Sequence, residues 1–372
     1  MKDLVYFDYN ATAPLKDEVI DFMSEILRES GNASSLHNFG RNARKHVEQA
    51  REQVAELAHT HSNSVTFTSG ATEANNTVLS AFKGQRILVS AIEHPSILDV
   101  IENVETIPVT PDGIIDLVQF EEIISKGDAP ALISVMLVNN ETGVIQPVEQ
   151  MARIAKKKHP QVFIHTDASQ APGRIQINMP ALQVDYMSLC AHKFGGPQGA
   201  GALLSLPGAK PARLLLGGGQ EKRQRAGTEN VAAIAGMGLA CTLATRDMDQ
   251  FIALAKWRDQ IENTVITIYP DVKIFGQSAD RVANTSSICT PGLDAQTQLM
   301  AMDLEGIALS NGSACSSGKV NNSYVLRAMG ASDGEAGSAL RLSIGWNTTA
   351  DEIDRFIKAW SDMVARMAKT GS

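Results

Sequence analysis

The chain predicts an α/β protein: a mostly parallel sheet of seven strands flanked by helices in a large domain, plus a smaller α+β domain. Three observations carry that expectation. Strand-period and helix-period segments alternate from about Asn38 to Lys193, the pattern that sets helices on the faces of a parallel sheet. The character changes after Cys241, where a long amphipathic stretch, Met248–Ile266, leads into shorter pieces. A length of 372 residues, 44% hydrophobic and 20% charged, suffices for one large and one small core. The implied division is 14–250 for the large domain and 1–13 with 251–372 for the small one.

Seven apolar or alternating runs bounded by turn residues read as strands: Val65–Thr68, Arg86–Ser90, Glu105–Val109, Ala131–Val138, Val162–Asp167, Val184–Leu189 and Gly201–Ser205. Helical spacing fits Arg41–Leu57, Ala74–Phe82, Ser96–Asn103, Leu117–Ile124 and Val148–Lys158. The last ends in three lysines, which suit a helix C-terminus. The small domain should hold strands near Val272–Ile274, Asn284–Cys289 and Ala339–Ser343, with helices at Ala295–Leu304 and Ala350–Met367. Between them, Asn311–Gly318 is made of small polar residues and glycines that bury little, so a mobile loop is expected over about 311–320.

The formal net charge of −8 argues against nucleic acid as the main partner, while leaving room for a local pocket that holds one phosphate. No run is long and apolar enough for a membrane span, and Met1-Lys2-Asp3 leads straight into Val5-Tyr6-Phe7-Asp8, so neither membrane nor leader is expected and the cytoplasm is the default. The four cysteines, Cys190, Cys241, Cys289 and Cys315, form no Cys-x-x-Cys pair and no zinc-type spacing with histidine. Neither a disulfide framework nor a metal site is indicated, and any cysteine that matters acts as a thiol.

Lys193 closes the segment that begins at Val184 and opens a glycine turn, and Asp167 closes the strand expected beside it. A lysine and a carboxylate at one sheet edge are what pyridoxal 5'-phosphate chemistry requires: an amine for the cofactor's carbonyl, and a negative charge that keeps the pyridine nitrogen protonated. Singly, such a lysine is more often a surface cation and such an aspartate a helix cap. Thr68–Asn75 follows a strand and starts a helix, so its amides and hydroxyls suit a phosphate, or equally a plain Ser/Thr cap. His94 ends a strand where an imidazole would stack on a ring and move protons; a structural histidine before Pro95 is the plainer reading. Asn139–Gly143 offers amides to a cofactor hydroxyl or substrate carboxylate, although turn chemistry explains the Asn-Asn pair as well. Gln170, near Asp167, would donate to the ring oxygen. Gly217–Glu221 and Arg225–Asn230 expose backbone and offer another phosphate contact or a tight turn. Cys315 lies where a thiolate would reach a bound substrate, and Arg341 suits a carboxylate or an ordinary ion pair.

Taken in order, Asp8-Tyr9-Asn10-Ala11-Thr12-Ala13, Gly31–His37, Thr68–Asn76, Glu93-His94, Asn139–Gly143, His165–Gln170, His192-Lys193 and Ser313–Ser317 resemble the IscS/NifS-type cysteine desulfurases, from about Tyr6 to Trp346. The resemblance implies the fold type I architecture of pyridoxal phosphate-dependent transferases, a homodimer, and sulfur transfer from L-cysteine to give L-alanine and a persulfide. By motif, Lys193 would carry the cofactor, Asp167 pair with its pyridinium, His94 stack on the ring and Gln170 contact the ring oxygen. Gly70, Ala71, Thr72 and His192 would hold the phosphate, with Thr228 reaching across from the partner subunit. Asn140 and Arg341 would receive the substrate carboxylate, and Cys315 would accept the sulfur and pass it to an acceptor protein, an iron–sulfur scaffold among the candidates.

Two departures stand out. Cys190 replaces the serine the family commonly has before Ala-His-Lys, trading a good hydroxyl donor for a poor thiol one. The chain also stops soon after Ala350–Met367, short of the tail by which some relatives engage a scaffold. The rival readings are another fold type I enzyme (a selenocysteine or cysteine lyase, or an aminotransferase) and a catalytically silent scaffold. The loop thiol speaks against the first, the intact lysine–aspartate set against the second.

Overall fold

The computed structural model describes residues 4–102, 104–312 and 322–370. Seven strands form the main sheet, in the spatial order Val65–Thr68, Gly201–Ser205, Tyr186–Cys190, Phe163–Asp167, Leu132–Ser134, Ile87–Ser90, Glu105–Ile107. The last five in that order run parallel, and Gly201–Ser205 is antiparallel to both of its neighbours. The parallel register brings the C-terminal ends of four strands to one edge, so the loops starting at Ala91, Val135, Ala168 and Ala191 converge there. Ligands of open α/β sheets sit at that edge.

The run Ala131–Val138 pairs as a strand only over Leu132–Ser134. The neighbouring strand stops at Ser90, and the Met136 amide donates instead to Glu93 Oε1 at 2.6 Å. On the other side bonding continues, from Val135 N to His165 O and from Leu137 N to Asp167 O. The expected helix Ser96–Asn103 is a single turn, Pro95–Leu98, followed by Asp99 and the β-branched Val100 and Ile101, poor helix formers all. The stretch Met248–Ile266 is two helices, Met248–Ile252 and Ala255–Ile268, with Leu254 buried at the break.

Among the described residues, four helices fall outside the sequence expectation: Asp17–Ile26, Val231–Arg246 and the short Tyr324–Ala328 and Asp333–Ala336. Val231–Arg246 is buried on nearly every side and packs on both Asn38–Leu57 and Asp17–Ile26. A helix that is apolar all round shows no amphipathic period to read.

Apolar side chains form one large cluster around the main sheet and a second that joins Val5 and Phe7 to Ile261, Val265, Ile288, Leu342, Phe356 and Trp360. Over the second lie the antiparallel strands Ala339–Ser343, Thr285–Cys289 and Lys273–Ile274, and the parallel pair Val5–Tyr6 with Ile307–Ala308. Among the described residues no helix is long and apolar enough to cross a membrane.

Candidate active site

Lys193 follows the strand Tyr186–Cys190 through a short turn, Ala191–Lys193, which Gly195 completes at φ +89°, a conformation costly for a residue with a Cβ. Its Nζ donates to the main-chain oxygens of Asn10 at 2.6 Å and Ala11 at 2.7 Å. Asn10 is itself buried and fixed from every side. Its amide donates to Ser343 Oγ at 3.0 Å, and its Nδ2 to Asn140 O at 3.0 Å and Thr285 Oγ1 at 2.9 Å. Its Oδ1 accepts from Arg174 Nη1 at 2.8 Å and Asn284 Nδ2 at 3.2 Å. The lysine amine is therefore held by backbone whose position depends on both ends of the chain.

Asp167 ends the strand Phe163–Asp167 and accepts from Asn75 Nδ2 at 2.7 Å and from Ser169 N at 2.9 Å. Asn75 Nδ2 also reaches Ser96 Oγ at 2.9 Å, and that hydroxyl lies 2.8 Å from His94 Nδ1, which accepts from Ser96 N. With Nδ1 an acceptor, the Ser96 hydroxyl donates to it. One chain of hydrogen bonds thus sets the Asp167 carboxylate and the His94 ring relative to each other. His165, two residues before Asp167, lies between Ser134 Oγ at 2.8 Å and Ser188 Oγ at 2.9 Å. Complete burial outweighs the pull of Asp167 and lowers its pKa to about 4, so the imidazole is neutral at pH 7. Glu93 is also fully buried, and burial pushes its carboxyl up to about 8. Ser90 Oγ and Met136 N both donate to its Oε1, tying two sheet strands together at this edge.

The helix Ala71–Ala81 begins at the same edge, with its first-turn amides toward the cavity. Its start is clamped: Ser69 N donates to Glu73 Oε2 at 2.7 Å, and Arg225 forks onto Glu73 at 2.9 and 3.2 Å. Gly201 has no room for a Cβ, which would come within 2.6 Å of Gly70 Cα, so strand and turn pack backbone to backbone. His192 Nδ1 lies 3.2 Å from Thr12 Oγ1, and burial, with Lys193 adjacent, lowers its pKa to about 4. The Cys190 thiol, buried on the same wall, is pushed up to about 11 by burial and stays neutral.

Arg341, on the strand Ala339–Ser343, donates to Asp8 Oδ1 at 2.6 Å and to Asn140 O at 3.3 Å. These groups enclose a cavity of about 600 Å³ whose wall includes Gly70, Ala71, Thr72, His94, Asn140, Asp167, Gln170, His192, Lys193 and Arg341. Among the described residues, three buried atoms on it have no hydrogen-bond partner: Gln170 Oε1, Ser169 Oγ and Arg341 Nε. Such orphans mark where a bound polar molecule completes the network. A flat aromatic ring carrying an anionic arm fits the groups present: an amine and a carboxylate for the ring, and helix amides for the arm.

One expected residue is not on this wall: Thr228 is exposed and away from it. Cys315 lies outside the described residues, as does most of the expected loop. Sequence reasoning assigned no role to Asn10, Asn75, Ser96 or Arg174, although Asn10 and Asn75 lie inside motifs quoted above. Nothing in local spacing reveals their contacts, which join positions as far as 333 residues apart.

Residues 5–356 match the model of the aminotransferase class-V family. The chain belongs to that family. It is 39% identical over 369 residues to the cysteine desulfurase IscS of Dictyoglomus turgidum, covering 95% of this chain and 93% of that one. The structure of a NifS-like protein from Rickettsia africae aligns with a TM-score of 0.90 at 35% identity, over 97% of this chain and 99% of that one. SspA in complex with cysteine aligns at 0.78 and 28% identity, over 91% and 98%. Within the class-V family the chain is an enzyme of the cysteine desulfurase group, of the IscS/NifS type.

Proposed function

We propose that this cavity removes sulfur from L-cysteine with the help of pyridoxal 5'-phosphate, leaving L-alanine, and that Cys315 receives the sulfur. The observation that carries the reading is the meeting in one cavity of a lysine held by main-chain oxygens, a hydrogen-bonded carboxylate and a helix N-terminus. When bound, pyridoxal phosphate supplies a carbonyl for the amine and an electron-accepting ring that draws charge from the substrate Cα.

The chain's own groups do the rest. Lys193, with its amine free, would take the Cα proton, and the Asn10 and Ala11 carbonyls fix where its Nζ lies. Asp167 faces the ring nitrogen as a fixed negative charge, oriented by Asn75 and the Ser169 amide. His94 would cover one face of the ring, and Gln170, whose Nε2 donates to Asn10 O at 3.0 Å, would serve the ring oxygen with the second hydrogen of that amide. Gly70, Ala71, Thr72 and neutral His192 donate to the phosphate, with Thr228 joining them from a second copy in a homodimer. Asn140 and the orphan Nε of Arg341 receive the substrate carboxylate, which competes with Asp8 for the guanidinium. The atoms balance as L-cysteine plus the Cys315 thiol giving L-alanine plus a Cys315 persulfide: the carbon–sulfur bond breaks, a sulfur–sulfur bond forms, and a proton replaces sulfur on carbon.

The structure of SspA with cysteine supports the substrate class. The division into 14–250 and 1–13 with 251–372 is retained as part of this proposal, supported by the separate cluster that gathers Val5 and Phe7 with the C-terminal strands. Cytoplasmic location, delivery of sulfur to an acceptor protein, and iron–sulfur assembly as the destination belong to the same reading. The test is Cys315→Ser with sulfur-labelled cysteine. The cofactor's visible band should persist while protein-bound label disappears. Undiminished sulfide release by the variant would favour a cysteine or selenocysteine lyase, and an aminotransferase would show amino-group exchange with a keto acid.

A further inference from the structure

A second cavity, of about 400 Å³, also has Lys193 on its wall. Phe251, Trp257 and Trp346 contribute to its wall, and so does Arg174, which is 3% exposed. Of the other charges on its wall, Lys16 pairs with Asp247 and Arg246 with Asp247 and Glu18, Lys193 is held by the main-chain oxygens of Asn10 and Ala11, and Asp17 forms no ion pair among the described residues. Arg174 is different. Among the described residues it meets no carboxylate; it donates to Asn10 Oδ1 at 2.8 Å and to Lys193 O at 3.2 Å, and its Nε has no acceptor. Its guanidinium sits 5.8 Å from the centre of the Phe251 ring. A buried guanidinium without a counter-charge is costly, and burial lowers its pKa to about 9. An anion in the cavity would relieve that cost, and aromatic walls would take a flat apolar body.

We propose that this cavity is an effector site for a small aromatic carboxylate, bound through Arg174 and felt at Lys193. The route is short. Arg174 holds Asn10 Oδ1 and Lys193 O, while Asn10 O and Ala11 O hold Lys193 Nζ, so an anion that re-aims the guanidinium loosens the lysine's own anchor. The coupling rests on the role proposed for Lys193; the binding does not.

The test is titration calorimetry of phenylacetate and phenylacetamide, which share a ring and differ in charge, on the holoenzyme. Phenylacetate should bind at least about tenfold more tightly than the amide. Arg174→Met should erase that ratio. Gln250→Glu, an exposed wall position, should weaken phenylacetate several-fold and leave cysteine turnover unchanged without it. Arg341→Gln should leave the ratio intact, which separates this site from the carboxylate position in the other cavity. Equal binding of acid and amide, no binding of either, or loss of binding in Arg341→Gln would overturn the site. If Arg174→Met fails to fold, an unchanged affinity in Gln250→Glu overturns it alone. Binding that leaves the cofactor's visible band unmoved would overturn the coupling to Lys193.

Discussion

The two walls of the main cavity are built differently. The sheet-edge wall carries Asp167 and His94, and these two, like the buried His165 two residues before Asp167, are locked by side chains on neighbouring strands, turns or the helix that starts there. The opposite wall carries Arg341, held to Asp8 and Asn140 O across more than 200 positions of sequence by an ion pair and one long hydrogen bond. The difference follows from what each wall does. A cofactor that never leaves is best met by groups that cannot turn, because reorganisation during each turnover costs rate. In the reading proposed above, a substrate carboxylate comes and goes at Arg341, so the guanidinium needs a partner that substitutes for it when it is gone, and Asp8 would be that partner.

The strongest way to break the contrast is Asp167→Asn, which keeps the shape and the Asn75 contact but removes the charge. Turnover should fall on the order of 10²-fold or more, as for loss of a preorganised charge in a dry site. The melting temperature of the holoenzyme should change little. A large fall in stability with only a small loss of turnover would mean that Asp167 is structural. Next in size is Arg341→Lys. A lysine keeps the charge and loses the fork, so the rise should be in KM, about tenfold, with kcat less affected. An equal fall in kcat at unchanged KM would place Arg341 outside substrate binding.

How far the sequence reveals each wall follows from the same contrast. The sheet-edge wall is legible because strands announce their ends: an apolar run closing on Asp167, and another leading to His192 and Lys193, fix which residues reach the edge. The opposite wall is legible only as candidates. That Arg341 turns toward Asp8 depends on Asp8 bridging to Ser343, with Ser343 N donating to Phe7 O at 2.8 Å, an isolated contact that no local pattern encodes. Asn10 is harder still, because five other segments meet at one asparagine. The helix Val231–Arg246 escapes notice for the opposite reason, being apolar on all faces.

A third prediction uses pH to weigh the sheet-edge wall. Glu93 has its carboxyl raised to about 8 against an ordinary value of 4.5, so the folded protein holds a proton that the unfolded chain releases. Its contribution is fully present below pH 4.5 and is lost as pH rises toward 8, by up to a few kcal/mol. His165 and His192 act with the opposite sign. Lowered to about 4, they remove stability as pH falls from 6.5 toward 4. Glu93→Gln keeps an acceptor for Ser90 and Met136 and removes the titration. Its unfolding free energy should therefore gain on the wild type between pH 5 and 8, measured by urea melts across that range. Parallel curves would show that Glu93 titrates normally in the fold.

The smallest expected effect concerns a second buried glutamate, which belongs to the opposite wall. Glu141 adjoins Asn140, and burial raises its carboxyl above the ordinary value. Ser323 donates to its Oε2 at 2.6 Å, and Gly312 packs so closely that a Cβ there would sit on the same oxygen. Residues 312 and 323 flank the segment that carries Cys315, so one carboxyl touches both approaches to it. Gly312→Ala forces the Glu141 side chain to shift, and Ser323 with it. Sulfur transfer should slow by about tenfold or less, while cofactor absorbance and the first chemical step on cysteine stay near wild type. Glu141→Gln, which retains an acceptor for Ser323, should be milder than Gly312→Ala. Single-turnover kinetics with labelled cysteine separates the two steps. A variant slowed equally in both would mean that Glu141 braces the whole cavity, and the two walls would then be one rigid unit.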